Sequence, residues 1–193
     1  MTGHSDYFQK LIRCAQGTAF TCAGHCEISS YEEGIELLTQ EFLKVRSSGG
    51  KAFFIGNGGS AAIAIHMTAD FMNNGGMKTY SLYDSSVMTC MGNDYGYEEV
   101  FSRQLEAFMD EDDLLVAISS SGNSMNIVNA INTAKKKNGK VITLSGFKAD
   151  NKICHMGDCN VYVGIEHYGI VESIHNLLLQ QVVDTILEKD GIQ

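Results

Sequence analysis

Proline is missing altogether from the 193 residues, an absence that carries no functional reading of its own. Basic side chains are scarce: 14 Lys and Arg stand against 23 Asp and Glu, for a formal charge of −9. A surface that acidic repels polyanions, which argues against nucleic acid and anionic membranes as partners. An anionic small molecule stays open, because backbone N–H groups at a helix N-terminus hold phosphate without a basic patch. Long apolar runs are missing too, none approaching the roughly 20 residues of a membrane span. No basic segment followed by an apolar stretch opens the chain, so the expectation is a soluble, cytoplasmic protein without a signal peptide. Also absent is the paired C-x2-C rhythm of a structural zinc module. The spacings are Cys22-x3-Cys26 and Cys154-x4-Cys159, with His25 and His155 beside them. Together with Cys14 and Cys90, these cysteines read as free thiols of a reducing compartment.

What is present is a globular pattern, with 44% hydrophobic residues in a chain long enough for one α/β domain. Apolar steps of three and four predict a helix from about Ser5 to Ala19. A second helix follows from a capping box, Ser30 with Glu33, and ends at Ser48-Gly49-Gly50. Beyond that the period changes. Short apolar runs at 52–55, 79–83, 114–118, 141–144 and 161–163 read as strands. Helical patterns at 60–71, 97–108, 124–137 and 169–189 separate or follow them. Strands buried on both faces and spaced by helices predict a three-layer α/β fold, a doubly wound five-stranded parallel sheet with N-terminal helices. Residues 1–48 form the helical segment and 49–193 the α/β core of a single domain spanning 1–193.

In such sheets ligands bind beyond the carboxyl ends of the strands. Two loops there have unusual chemistry. Gly56-Asn57-Gly58-Gly59-Ser60-Ala61 follows the first strand, and Ser119-Ser120-Ser121-Gly122-Asn123-Ser124 follows the third. Each leads into a helix, and each combines glycines that admit a ligand to the backbone with hydroxyls that donate hydrogen bonds. One such loop alone is ordinarily a turn plus a helix cap; two on one sheet point to phosphate. A competing reading takes Gly56-x-Gly58-x-x-Ala61 as a dinucleotide fingerprint, with Asp84 as the ribose-binding acid. It leaves the serine loop without a role and the chain with little room for a substrate domain.

At these loops the sequence resembles the sugar isomerase (SIS) domain family and, within it, the phosphoheptose isomerase branch. The similar stretch runs from about Gly49 to Leu187. It includes Gly56 through Ser60, His66, Gly92-Asn93-Asp94-Tyr95-Gly96-Tyr97, Phe101-Ser102-Arg103-Gln104, Ile118 through Ser124, and Val141 through Gly146. The resemblance implies a SIS fold and a homotetramer with sites at subunit interfaces. It also implies isomerisation of sedoheptulose 7-phosphate to D-glycero-D-manno-heptose 7-phosphate through an enediol, supplying heptose for surface glycans. The phosphate would sit on Ser119, Ser120, Ser121 and Ser124. Asn57, Gly58, Gly59, Ser60, Asn93 and Asp94 would line the rest of the substrate.

Isomerisation moves a proton between neighbouring carbons, so it needs acid–base groups and something to polarise the carbonyl oxygen. The family's set is a glutamate four residues after a helix histidine, then a glutamine and a histidine from the last helix; these also hold zinc. This chain departs from that set. Asp70 stands at the glutamate position after His66, Glu172 at the glutamine position and Gln180 at the histidine position. His66 and Asp70, four apart, share a helix face, and Glu172 and His175 lie one turn apart. The functional reading makes Asp70, Glu172 and His175 the catalytic residues. It makes His66, Asp70, Glu172 and Gln180 the ligands of zinc or another divalent ion. The plain reading makes His175 a hydrogen-bonded helix residue and Glu172 an acid favoured by the helix dipole. The altered set also leaves open a non-catalytic SIS module that binds a phosphosugar or a protein partner.

Overall fold

The computed structural model describes residues 4–22, 26–28 and 30–191, with the backbone alone at residues 4, 5 and 26. His25 and the Cys26 side chain lie outside the described residues. Helix α1 (His4–Gln16) is followed by two short strands, β1 (Ala19–Cys22) and β2 (Cys26–Glu27). Helix α2 (Tyr31–Ser48) starts where the capping box placed it, with Ser30 Oγ accepting the Glu33 N–H at 3.1 Å. It ends on Gly49, whose φ of 77° is the left-handed stop that glycine adopts without strain.

The α/β core then alternates β3 (Lys51–Ile55), α3 (Gly59–Asn73), β4 (Lys78–Ser81), α4 (Ser85–Tyr95), a 3₁₀ turn at Tyr97–Glu99 and α5 (Ser102–Phe108). It continues with β5 (Leu114–Ser119), α6 (Met125–Lys136), β6 (Lys140–Gly146), β7 (Cys159–Val163) and α7 (Tyr168–Lys189). All seven strands form one sheet in the order β2-β1-β7-β6-β5-β3-β4. The five expected strands are present and mutually parallel. The other two were not expected: β1 and β2 add an antiparallel flap to the free edge of β7. The first helix stops at Gln16 rather than Ala19, which frees residues 19–22 to pair with that edge. The helix expected over 97–108 is broken into the 3₁₀ turn and α5.

Alternation along the strands divides the core into two layers. β3 sends Ala52 and Phe54 to the layer shared with α2, α3 and α7. It sends Phe53 and Ile55 to the layer shared with α5 and α6. In the first layer Phe42, Phe54 and Phe71 stack, the Phe42 and Phe71 rings only 4.2 Å apart. No helix among the described residues is long and apolar enough to cross a membrane. The strand order reverses between β3 and β5, so the crevice beyond their carboxyl ends lies between the two loops singled out above.

Candidate active site

The first loop is held open by a tyrosine at the end of β4. Tyr83 Oη accepts the Gly56 N–H at 2.6 Å and donates to the Gly56 carbonyl at 2.8 Å. Burial pushes the Tyr83 phenol well above its usual range, so the hydroxyl keeps the proton it donates. Gly58 has φ 55° and ψ −120°, a conformation open in practice only to glycine. This turn delivers the chain into α3 with no side-chain cap. The first amides of α3 are thereby left for a ligand.

The second loop is built the same way. Ser119 Oγ accepts the Gly122 N–H at 3.2 Å, and Gly122 has φ 65°. A Cβ on Gly122 would overlap the Asn151 amide. That amide is fixed behind the loop, its Nδ2 donating to the Lys148 and Gly146 carbonyls, and the Ile153 N–H donates to the Gly122 carbonyl. Ser124 then opens α6, again without a side-chain cap hydrogen bond. Two uncapped helix N-termini therefore converge on the switch-point crevice.

Between them lies a cavity of about 140 Å³, lined by Asn57, Ser60, Ser119, Ser120, Ser121, Ser124, Tyr168 and Glu172. No lysine or arginine lines it. Ser120 is 4% exposed, yet its Oγ has no hydrogen-bond partner among the described residues. An orphaned buried hydroxyl costs roughly 1–3 kcal/mol. Its place on the cavity wall gives it a natural partner in a ligand oxygen. Glu172, from the first turns of α7, lies against Gly59, where a Cβ would overlap its carboxylate. The dipole of α3 favours a negative charge there.

The remaining expected residues lie elsewhere. His66 and Asp70 do face each other on α3, with Nε2 and Oδ2 3.5 Å apart. They sit seven and more residues beyond Gly59, which is roughly 10 Å along the helix from Glu172. Gln180 is eight residues along α7 from Glu172 and donates to Asp184 at 3.4 Å. Among the described residues no three His, Cys, Asp or Glu side chains group so as to hold a metal ion. The expected zinc set of His66, Asp70, Glu172 and Gln180 therefore does not fit a single shell within one chain. Asn93 and Asp94 lie exposed in the last turn of α4, bonded to each other at 2.8 Å, and do not line the cavity.

His175 is not at the cavity where the sequence reading put it. It is fully buried, and its Nε2 meets the Ser145 carbonyl at 3.1 Å, so that nitrogen carries the proton. Burial lowers its pKa from 6.5 to about 4. A neutral imidazole sealed in the core has no path to a substrate proton, so its expected catalytic part gives way to a structural one. Asp84 is likewise occupied: its Oδ1 accepts the Ser86 and Val87 N–H groups and caps α4. That leaves the dinucleotide reading without its ribose acid.

Four residues of the site went unread in the sequence: Tyr83, Tyr97, Asn126 and Tyr168. Asn126 is 3% exposed and exchanges hydrogen bonds with Asn57 across the crevice, both at 2.9 Å. Its one local signal is its position two residues after Ser124, in the first turn of α6.

A fold wound in this order, with two serine-glycine loops at its switch point, defines a phosphosugar-binding class, and the comparisons agree. The SIS domain model matches residues 27–146, and the chain belongs to that family. It is 36% identical over 172 residues to a phosphoheptose isomerase of Sodalis glossinidius, covering 86% of this chain and 85% of that protein. It is 35% identical over 173 residues to the phosphoheptose isomerase of Proteus mirabilis, covering 84% and 86% of the two. The solved phosphoheptose isomerase GmhA of Neisseria gonorrhoeae superposes with a TM-score of 0.80 at 31% identity, over 94% of this chain and 95% of that one.

Proposed function

We propose that this chain is a phosphosugar isomerase that converts sedoheptulose 7-phosphate to D-glycero-D-manno-heptose 7-phosphate. The observation that carries the reading is the unpartnered Ser120 hydroxyl in a cavity flanked by two uncapped helix N-termini. In this assignment the phosphate rests on Ser119, Ser120, Ser121 and Ser124 and on the first amides of α6. The sugar extends past Asn57, Gly58, Gly59 and Ser60. Glu172, the one carboxylate on the cavity wall, takes a proton from C1 of the ketose and returns it to C2, while the carbonyl oxygen on C2 gains a proton as the enediol forms and the C1 hydroxyl gives one up as the aldehyde forms.

Asp70 and His66 lie outside this cavity, on a face of α3 that also exposes Ile65 and Met72. A homotetramer burying that face would place Asp70 at a subunit interface, where it can share the proton transfer. There the His66 imidazole and Asp70 carboxylate could give a divalent ion such as zinc two donors, with others completing its shell. Metal analysis of protein purified without chelators tests that part. A cytoplasmic location fits a supply of heptose for surface glycans.

The deciding experiment incubates the pure protein with sedoheptulose 7-phosphate, with and without zinc, and follows the aldose product. Absence of turnover with any five- to seven-carbon ketose phosphate would overturn the enzyme reading. The departures at Asp70 and Gln180 motivate a second reading, a non-catalytic module. Tight sugar-phosphate binding in calorimetry without turnover would favour it.

A further inference from the structure

Among the described residues Asn57 is the only side-chain amide on the cavity wall, and its hydrogen bonds are almost fully committed. Its Oδ1 accepts from Asn126 Nδ2 at 2.9 Å and from Tyr97 Oη at 2.9 Å. Its Nδ2 donates one N–H to Asn126 Oδ1, also at 2.9 Å. A carboxamide has two lone pairs on oxygen and two N–H donors. Both lone pairs are used, and one N–H remains.

The partners are themselves fixed. Asn126 is buried in the first turn of α6, so the reciprocal amide pair ties the β3 loop to the helix that follows the β5 loop. Tyr97 begins the 3₁₀ turn, which is clamped to α6 through Glu99. One Glu99 oxygen accepts from Asn129 Nδ2 at 2.8 Å, and the other accepts from the Ser102 hydroxyl. Asn129 Nδ2 also reaches the Glu98 carbonyl at 3.2 Å.

We infer that Asn126 and Tyr97 are positioning residues that make Asn57 a donor-only group, whose remaining N–H serves an oxygen of the bound sugar phosphate. The inference rests on the phosphosugar reading above and adds the direction of the hydrogen bond. Two donors on Oδ1 polarise the amide and strengthen the free N–H. They also stop the amide from turning over and offering its oxygen. The group thus selects a substrate oxygen that accepts, such as a carbonyl or the oxyanion that forms from it.

The test compares wild type, Tyr97→Phe, Asn126→Asp, Asn57→Ala and the double variant Tyr97→Phe with Asn57→Ala. Tyr97 is exposed, so its variant keeps the fold; Asn126→Asp puts an acceptor where Asn57 needs a donor. Calorimetry reads the affinity for sedoheptulose 7-phosphate and for inorganic phosphate, and turnover reads kcat/KM. Tyr97→Phe is expected to weaken sugar-phosphate affinity and kcat/KM roughly five- to tenfold, the value of one hydrogen bond. Asn126→Asp should lower both by more than about tenfold, as expected for a buried contact. Inorganic phosphate, held by the serine loop, should bind Tyr97→Phe and Asn57→Ala as it binds wild type, and Tyr97→Phe should change nothing further once Asn57 is alanine. The inference fails if Tyr97→Phe leaves both readouts within twofold of wild type, if phosphate affinity falls in parallel, or if the effect persists without Asn57. Wild type that binds the sugar phosphate without turnover would sink the isomerase reading alone, and the affinities would still decide this one.

Discussion

Ser120 sets stability against binding at a single atom. Its buried, unpartnered Oγ makes the unliganded protein slightly less stable than it could be. Ser120→Ala should therefore leave the melting temperature unchanged or raise it, while weakening sugar-phosphate affinity roughly fivefold or more, the value of one hydrogen bond to a charged group. Calorimetry and thermal melting on the same preparation check both halves. Glu172 poses a sharper question, because the family resemblance of the sequence leads one to expect glutamine there. If its carboxylate moves the proton, Glu172→Gln should cost at least ~100-fold in kcat. Phosphate affinity should hold or improve, since a like charge leaves the cavity. Retained kcat in steady-state assays would mean that Glu172 only fills the glutamine's place. Both residues were legible in the sequence. The roles of Tyr97, quoted only as part of a family stretch, and of Asn126 were not, because a tyrosine or asparagine gives no local sign of what it meets across a crevice.

At the scale of elements, the site is two strand–loop–helix units set side by side. Their glycines have different tasks. Gly58 lets the chain turn into α3, with open space around it. Gly122 combines a φ of 65° with close approach to Asn151. Gly122→Ala should thus cost on the order of 1–3 kcal/mol from backbone strain, with further loss from the clash. Because the serine loop would shift with it, phosphate binding should fall along with stability. Urea unfolding and phosphate calorimetry test the pair, and a variant with full stability and affinity would refute this account of the loop. Elements with strong periodicity, such as α2, α6 and the inner strands, were readable. Helix α4 was not: it buries no residue, so no apolar stripe marks it, and only its Asp84 cap gives it away. Strands β1 and β2 were also hidden, because the four residues of β1 owe their conformation to the β7 edge and the two of β2 to β1.

The whole molecule adds two expectations. His175 holds a proton in the core less readily than in the unfolded chain, with about 4 against 6.5. Below 6.5 the unfolded chain takes up a proton that the native state refuses. Stability is therefore full above that pH and falls as pH drops toward 4, by at most about 1.4 kcal/mol per pH unit from this residue. Urea unfolding across pH 4–8 should show this slope, and His175→Gln should flatten it, though at lower overall stability. The second expectation concerns α3, which is apolar toward the core and also exposes Ile65 and Met72. Large apolar side chains exposed together on a helix face mark a surface that another protein surface covers. Ile65→Glu should split the proposed tetramer, as read by light scattering, and lower activity with it. An unchanged assembly mass would remove α3 from the interface.

By itself the sequence determined the class of fold, the five parallel strands and the two serine-glycine loops. Periodicity and turn chemistry are local, and a phosphate loop needs only its own glycines, hydroxyls and helix start. Only the tertiary structure decided which residues those loops serve with. Strand order set the β3 and β5 loops face to face, which made Asn57 and Asn126 partners across 69 positions of sequence. The same winding left His175 sealed beneath Ser145 while Glu172, one turn earlier, reached the cavity. Facing on a helix follows from spacing, but whether a face meets core or crevice depends on what the rest of the chain packs against it.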